Sequence, residues 1–203
     1  MLISFKRVMW LRCLCLCVLL SVSLAGCNRK EALQFHNMDI SGSIDQADFN
    51  LTDHNGEPAN LARFKDKVVV VFFGFSHCPD VCPNTLQEWK LAFHQLSDVQ
   101  RKQAQLLLIS VDPKRDTSAR LKVYMQAFHP NFLGLSGPLE QIKTINTNYK
   151  AFFEKNSKNP DNIDHTAASY VIDKQGKVRL FVRHDGNVKN LVEDLQSLIN
   201  ESI

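Results

Sequence analysis

The chain has 203 residues, 44% of them hydrophobic and 22% charged, enough for one ordinary domain with its own core and too few for two large ones. Its formal charge of +3 comes from Lys6, Arg7 and Arg12, all ahead of Cys27. The remainder is balanced, which removes any reason to expect a nucleic acid or another polyanionic partner.

In chain order, residues 1–26 read as a secretory leader. A basic start is followed by an apolar run from Cys13 to Leu24, short of the about 20 residues that a spanning helix needs, and then by small residues. Leu24-Ala25-Gly26-Cys27 resembles the lipobox of bacterial lipoproteins, which implies acylation of Cys27 and a membrane-anchored domain in the periplasm or on the extracytoplasmic face. An uncleaved anchor or an ordinary signal peptide would put the domain on the same side. Residues 27–46 are polar without a sustained period and read as a lipid-attached tether, with His36 and Met38 as solvent-exposed side chains. Residues 47–203 are then the folded domain.

Beyond the tether, Phe49-Asn50-Leu51 and Leu61 flank His54-Asn55-Gly56-Glu57-Pro58, a hairpin with an Asn-Gly turn. Val68 to Phe75 is an almost unbroken β-branched and aromatic run, the pattern of a central strand buried on both faces. A helix opens near Pro83, where a missing N–H does no harm, and carries an apolar stripe of Leu86, Trp89, Phe93 and Leu96. Ala104 to Val111 is the next strand. Asp116-Thr117 starts a helix whose apolar side is Leu121, Val123, Tyr124 and Phe128. Pro138 to Tyr149 is a further helix, Ala167–Ile172 and Val178–Val182 form a hairpin, and Val188–Ile199 closes the chain as a helix. This order predicts an α/β, three-layer, thioredoxin-like fold with an added N-terminal β-hairpin and an insertion before the closing β-β-α unit.

Of the six cysteines, Cys13, Cys15, Cys17 and Cys27 fall in the leader or at the attachment site, leaving Cys78 and Cys82. A loop with only three intervening residues restricts the unfolded chain too little to serve as a staple, so the pair is expected to carry chemistry. It falls at the end of the first central strand, the edge where open α/β sheets place their ligands. If Cys82 lies in the first turn of its helix, the free N–H groups and the dipole favour its thiolate, with Cys78 folding over it. The spacing permits either a disulfide or two thiolates on one soft metal, and two sulfurs alone are too few for a closed zinc or cluster site. Among the histidines, His165 is the candidate third ligand, because Asp164-His165-Thr166 lies in a loop ahead of the strand beside the cysteines. Asp164 is then a candidate acceptor behind it, or a plain loop carboxylate. His77 is placed to tune Cys78 or to cap the strand end. Asp112 is placed to organise the metal loop or to close a turn with Pro113, and Arg115 to pair with Asp116.

At this point the chain resembles the Sco/SenC family of copper-handling proteins. The resemblance runs through Leu51-Thr52-Asp53, Phe73-Gly74-Phe75-Ser76-His77-Cys78-Pro79-Asp80-Val81-Cys82-Pro83, Ile109-Ser110-Val111-Asp112-Pro113-Lys114-Arg115-Asp116-Thr117 and Asp164-His165-Thr166 before Tyr170-Val171-Ile172-Asp173. It implies that Cys78, Cys82 and His165 bind Cu(I), and also Cu(II), on a thioredoxin-like fold. It further implies a role in assembling the binuclear copper centre of a cytochrome c oxidase subunit, with copper supplied by an extracytoplasmic donor. Ser76 stands where the family often has Thr, which keeps the hydroxyl. Beside a copper chaperone, the residues allow a thiol-disulfide oxidoreductase that reduces the oxidase cysteines with Cys78 and Cys82 as its redox pair. They also allow a thiol peroxidase, although two cysteines with a downstream histidine fit metal handling better than a lone peroxidatic thiol.

Overall fold

A computed structural model of the chain describes residues 33–159 and 161–201. The leader and Cys27 lie outside the described residues. Strands are β1 (Met38–Asp39), β2 (Leu51–Asp53), β3 (Pro58–Ala59), β4 (Val68–Gly74), β5 (Ala104–Ser110), β6 (Leu133–Ser136), β7 (Phe153–Lys155), β8 (Ile163–His165), β9 (Ala168–Ile172) and β10 (Val178–Arg183). Helices are α1 (Val81–Gln95), α2 (Asp98–Lys102), α3 (Ser118–Phe128), α4 (Leu139–Asn148) and α5 (Val188–Asn200). Eight strands form one sheet in the order β1-β10-β9-β4-β5-β6-β2-β3, and β7 and β8 form a separate two-stranded sheet.

Strand β4 sits at the centre because its sequence allows nothing else. All seven of its residues are buried, as are all seven of β5, so both faces of the sheet are covered here. Each fully buried Val, Leu or Phe contributes roughly 1.5–3 kcal/mol of burial free energy. Strand β4 runs parallel to β5 and antiparallel to β9. Parallel neighbours need a crossover, and α1 with α2 supplies the one between β4 and β5. The two aromatic residues of β4 point to opposite faces. Phe72 meets His165 and His184 edge-on, while Phe73 packs on Tyr149 and Tyr170.

Helix α1 follows the predicted stripe, burying Leu86, Trp89 and Phe93 with Leu96 just beyond its end. Its first turn lacks a side-chain cap from Asp80, and Pro83 at the third position gives up an N–H that has no intrahelical partner there. Of the two expected caps, Asp116 and Thr117, it is Thr117 that caps α3, its side chain accepting from the backbone N–H of Arg120.

Several expectations change. Val123 is 74% exposed and the buried face of α3 is Leu121 and Met125, one turn apart. Strand β6 and helix α2 are additional to the predicted elements. Residues expected to act as tether instead join the sheet. Met38–Asp39 pair with Phe181 and Leu180, and the buried Asp194 of α5 accepts the backbone N–H groups of His36 and Asn37, each at 2.9 Å. Main-chain pairing and one carboxylate hold this edge, and neither leaves a hydrophobic period to read.

Candidate metal centre

Cys78 lies in the loop after β4, and Cys82 is the second residue of α1. Cys82 is fully buried while Cys78 is partly open, and both are free thiols. The backbone N–H of Cys82 donates to Cys78 Sγ at 3.4 Å, so the first turn of the helix points a free N–H at the outer sulfur. Helix N-termini stabilise anions in this way.

His165 arrives from the other side of the sequence. It is the last residue of β8 and pairs with Phe153 of β7, so it stands on a strand and not in the loop that was expected. Its Nδ1 donates to the carbonyl of Thr166 at 3.2 Å, and its Nε2 faces Cys82 Sγ at 3.4 Å. The Thr166 carbonyl can only accept, so the proton sits on Nδ1 and the lone pair of Nε2 is turned to the sulfurs. Phe72 and Phe75 hold the ring edge-on, each with centroids 5.9 Å away.

The three ligand atoms lie within 4.8 Å of one another, and this is the only group of three or more His, Cys, Asp and Glu of that kind among the described residues. Thiolate sulfurs sit about 2.3 Å and imidazole nitrogens about 2.0–2.1 Å from a tetrahedral zinc ion. A single ion of similar size therefore fits between the three with small adjustments. Two sulfurs and one nitrogen form a soft set, poor in oxygen, that selects Cu(I) or zinc over magnesium or calcium.

The two thiols share one proton unequally. The hydrogen bond from Cys82, offset by burial and helped by backbone N–H groups, holds the Cys78 thiol far below its ordinary range. The same bond, together with burial, pushes Cys82 up. The thiolate thus belongs to Cys78, the exposed nucleophile expected for an oxidoreductase, and not to Cys82, which the helix-dipole argument favoured. The helix N–H reaches the sulfur four residues earlier, because a side chain at the second helical position points into the core.

The remaining candidates fall elsewhere. Asp164 is exposed and accepts from the Asn156 side chain at 2.9 and 3.0 Å, so the carbonyl of Thr166 takes the place behind His165. Asp112 is held by Arg115, which leaves Asp116 free of the surface pair expected of it. His77 turns its Nδ1 toward Ser76 Oγ at 3.3 Å and Asp116 at 3.7 Å.

The role of Asp116 is what sequence reasoning missed. The residue is 1% exposed and accepts from the Ser76 hydroxyl at 2.5 Å, the Ser76 backbone N–H at 3.1 Å and the Ser110 hydroxyl at 2.6 Å. Arg120 of α3 donates to Ser76 Oγ at 2.7 Å. The start of the cysteine loop is thereby fastened to the end of β5 and the start of α3. The available signal was Ser110 and Asp116 flanking the turn at Pro113, with Thr117 already serving as the cap.

Comparison with known proteins follows from this geometry. A family model described as SCO1/SenC matches residues 39–200. The mitochondrial SCO2 homologue of Mus musculus is 33% identical over 172 residues, covering 83% of this chain and 65% of that protein. The chain thus spans slightly less than two thirds of that relative's length. The solution structure of apo Sco1 from Thermus thermophilus superposes with a TM-score of 0.72 at 36% identity, covering 83% of this chain and 99% of that one. ScoI of Bradyrhizobium japonicum, solved with copper bound, superposes with a TM-score of 0.68 at 34% identity, covering 74% of this chain and 97% of that one. The thioredoxin-like α/β architecture expected from the order of elements is the one these neighbours share.

Proposed function

The chain belongs to the SCO1/SenC family, and from that premise we propose that it is a copper carrier. Cys78, Cys82 and His165 hold Cu(I) as cargo, and accept Cu(II) when an oxygen donor joins them. The observation that carries this reading is the meeting of three soft donors from segments 83 residues apart, with the imidazole fixed in the tautomer a metal needs. Cys78 is partly open to solvent, so an incoming thiol can displace one ligand at a time and copper passes between proteins without release to water. The recipient we assign is the cysteine-rich binuclear copper site of a cytochrome c oxidase subunit. Competition for Cu(I) against a chelator tests the proposal. The wild-type protein should bind more tightly than Cys82→Ala and His165→Ala, and equal affinity in all three would overturn it.

A second reading has its own observation. A thiolate on an accessible Cys78 beside a protonated, buried Cys82 is the arrangement of an attacking and a resolving thiol. Cys78 then attacks a disulfide of the oxidase site, a mixed disulfide forms, and Cys82 displaces it. The substrate is reduced to two thiols and Cys78–Cys82 is oxidised. Failure to exchange with a disulfide-bonded oxidase fragment, while the domain stays folded, would remove this reading.

Anchoring by Cys27 remains part of the proposal. Leu24-Ala25-Gly26-Cys27 resembles a lipobox, and a lipid on Cys27 would be the attachment. Incorporation of labelled fatty acid into the wild-type chain, and its loss in Cys27→Ala, is the corresponding test.

A further inference from the structure

On the far side of Phe72 from the cysteines lies a buried polar chain that the copper reading does not use. Trp89 Nε1 donates to Ser169 Oγ at 2.9 Å. Ser169 Oγ lies 2.9 Å from His184 Nε2, and His184 Nδ1 lies 2.9 Å from a Glu88 carboxylate oxygen. The Glu88 carboxylate can only accept, so His184 Nδ1 carries a proton toward it. The Ser169 oxygen accepts the indole N–H and keeps a hydroxyl proton of its own. Burial holds the His184 pKa below its ordinary value, and with the ring neutral Nε2 accepts that proton.

Serine, histidine and glutamate in this order resemble a nucleophilic triad, but Ser169 is 0% exposed and no substrate reaches it. The placement of the chain points to another use. Glu88 and Trp89 belong to α1, the helix that carries Cys82 in its first turn. Ser169 belongs to β9, whose approach carries His165. The bridge thus ties together the two elements that bring Cys82 Sγ and His165 Nε2 to 3.4 Å. Between bridge and site stands Phe72, edge-on to His184 at 6.3 Å and to His165 at 5.9 Å. Glu88 lies six residues beyond Cys82, roughly 9 Å along a helix at 1.5 Å per residue, so a small tilt of α1 at the bridge displaces the sulfur.

We propose that Glu88, His184 and Ser169 form a positioning bridge that fixes α1 against β9 and so sets the contact between Cys82 and His165. The effect on copper rests on the carrier reading above, whereas the effect on the contact does not. The test uses the full-length reduced chain and two readouts. One is the imidazole ¹⁵N shift of His165 Nε2 in the metal-free protein, and the other is Cu(I) competition against a chelator. His184→Phe keeps a ring against Phe72 and Trp89 while removing both bonds. Glu88→Gln keeps an acceptor for the Nδ1 proton and should rescue. Tyr149→Phe removes a comparably buried hydrogen bond, to the carbonyl of Ala47 at 2.6 Å, on the other face of β4.

His184→Phe should move the His165 Nε2 signal and weaken Cu(I) binding by up to about tenfold, the low end of what losing a direct partner of a metal ligand costs, since the bridge acts on the ligands only through α1 and β9. Glu88→Gln and Tyr149→Phe should leave both near wild type. A wild-type His165 signal in His184→Phe, or an equal change in Tyr149→Phe, overturns the proposal. Should His184→Phe fail to fold, Glu88→Ala at the solvent-facing end of the bridge is read by the same two criteria. A moved His165 signal in a chain whose wild type binds no Cu(I) would keep the bridge and discard the copper reading.

Discussion

Cys82 Sγ and His165 Nε2 lie 3.4 Å apart although their residues are 83 positions apart in the chain, and the His165 proton is committed to the Thr166 carbonyl. A donor pair preset in this way should appear directly in the metal's surroundings. X-ray absorption of the copper-loaded protein is expected to show two sulfur scatterers and one nitrogen scatterer at bonding distance. His165→Ala should lose the nitrogen, retain both sulfurs and bind Cu(I) at least about tenfold more weakly. An unchanged nitrogen contribution in His165→Ala would remove the histidine from the ligand set.

The shared proton of the two cysteines gives a pH dependence with two signs. Cys78 is an acid whose folded pKa lies far below the ordinary thiol value of about 8.5, so the stability it contributes is full above that value and is lost as pH falls. Cys82 is raised, so it opposes folding as pH climbs past the same point. The unfolding free energy of the reduced protein, less that of a Cys78→Ser/Cys82→Ser double variant, should therefore rise from about pH 5 to about pH 8 and decline above about pH 9. Iodoacetamide should also modify Cys78 rapidly at about pH 6, where an ordinary thiol of pKa about 8.5 is well under about 1% ionised. A slow reaction that follows an ordinary thiol titration would overturn the assignment of the thiolate.

How far the sequence revealed all this depends on the kind of signal. Strand β4 and helix α1 were legible because burial writes itself into them, as a continuous apolar run and as a stripe at helical spacing. Cys78 and Cys82 stood out by chemistry and by the lack of other body cysteines. The placing of His165 leaned on fold order, and even so it stands on β8 and not in a loop, since a strand of three residues, none of them fully buried, is too short for a period to be recognised. Strand β6 was hidden by Gly134 and by its four-residue length. Asp116 was hidden because nothing in a sequence separates a buried carboxylate receiving hydroxyl protons from one pairing with an adjacent arginine at the surface.

That buried carboxylate gives the next expectation. Asp116→Ala strands the hydroxyls of Ser76 and Ser110, both of which point at it, and a buried donor left without a partner costs on the order of 1–3 kcal/mol. Urea unfolding should therefore show a loss on the order of 2–4 kcal/mol. Asp116→Asn keeps one acceptor oxygen and should lose about half as much. Because Ser76 leads into Cys78, both variants should also bind Cu(I) more weakly, in the same order. A stability loss below about 0.5 kcal/mol in Asp116→Ala, the range of ordinary surface changes, would show that the network does not hold the loop.

Gly74 separates the effect of packing at the site from the effect of packing in general. A Cβ added there would meet Phe72 Cε1 at 2.7 Å and Cys82 Sγ at 3.0 Å. Phe72 is fully buried between His165 and His184, so its ring has no free space to enter, and the sulfur must give way as well. Overpacking of this kind costs about 1–3 kcal/mol. Gly134→Ala offers a milder strain away from the cysteines, with Leu121 Cβ at 3.0 Å and Met125 Cγ at 3.2 Å. Both variants should lose stability in urea unfolding, Gly74→Ala the more. Only Gly74→Ala should weaken Cu(I) binding, because only there does the added methyl press on a ligand atom. Equal copper affinities in the two variants would mean that the site absorbs a displaced Cys82 sulfur, and that its geometry is set by the ion and not by the fold.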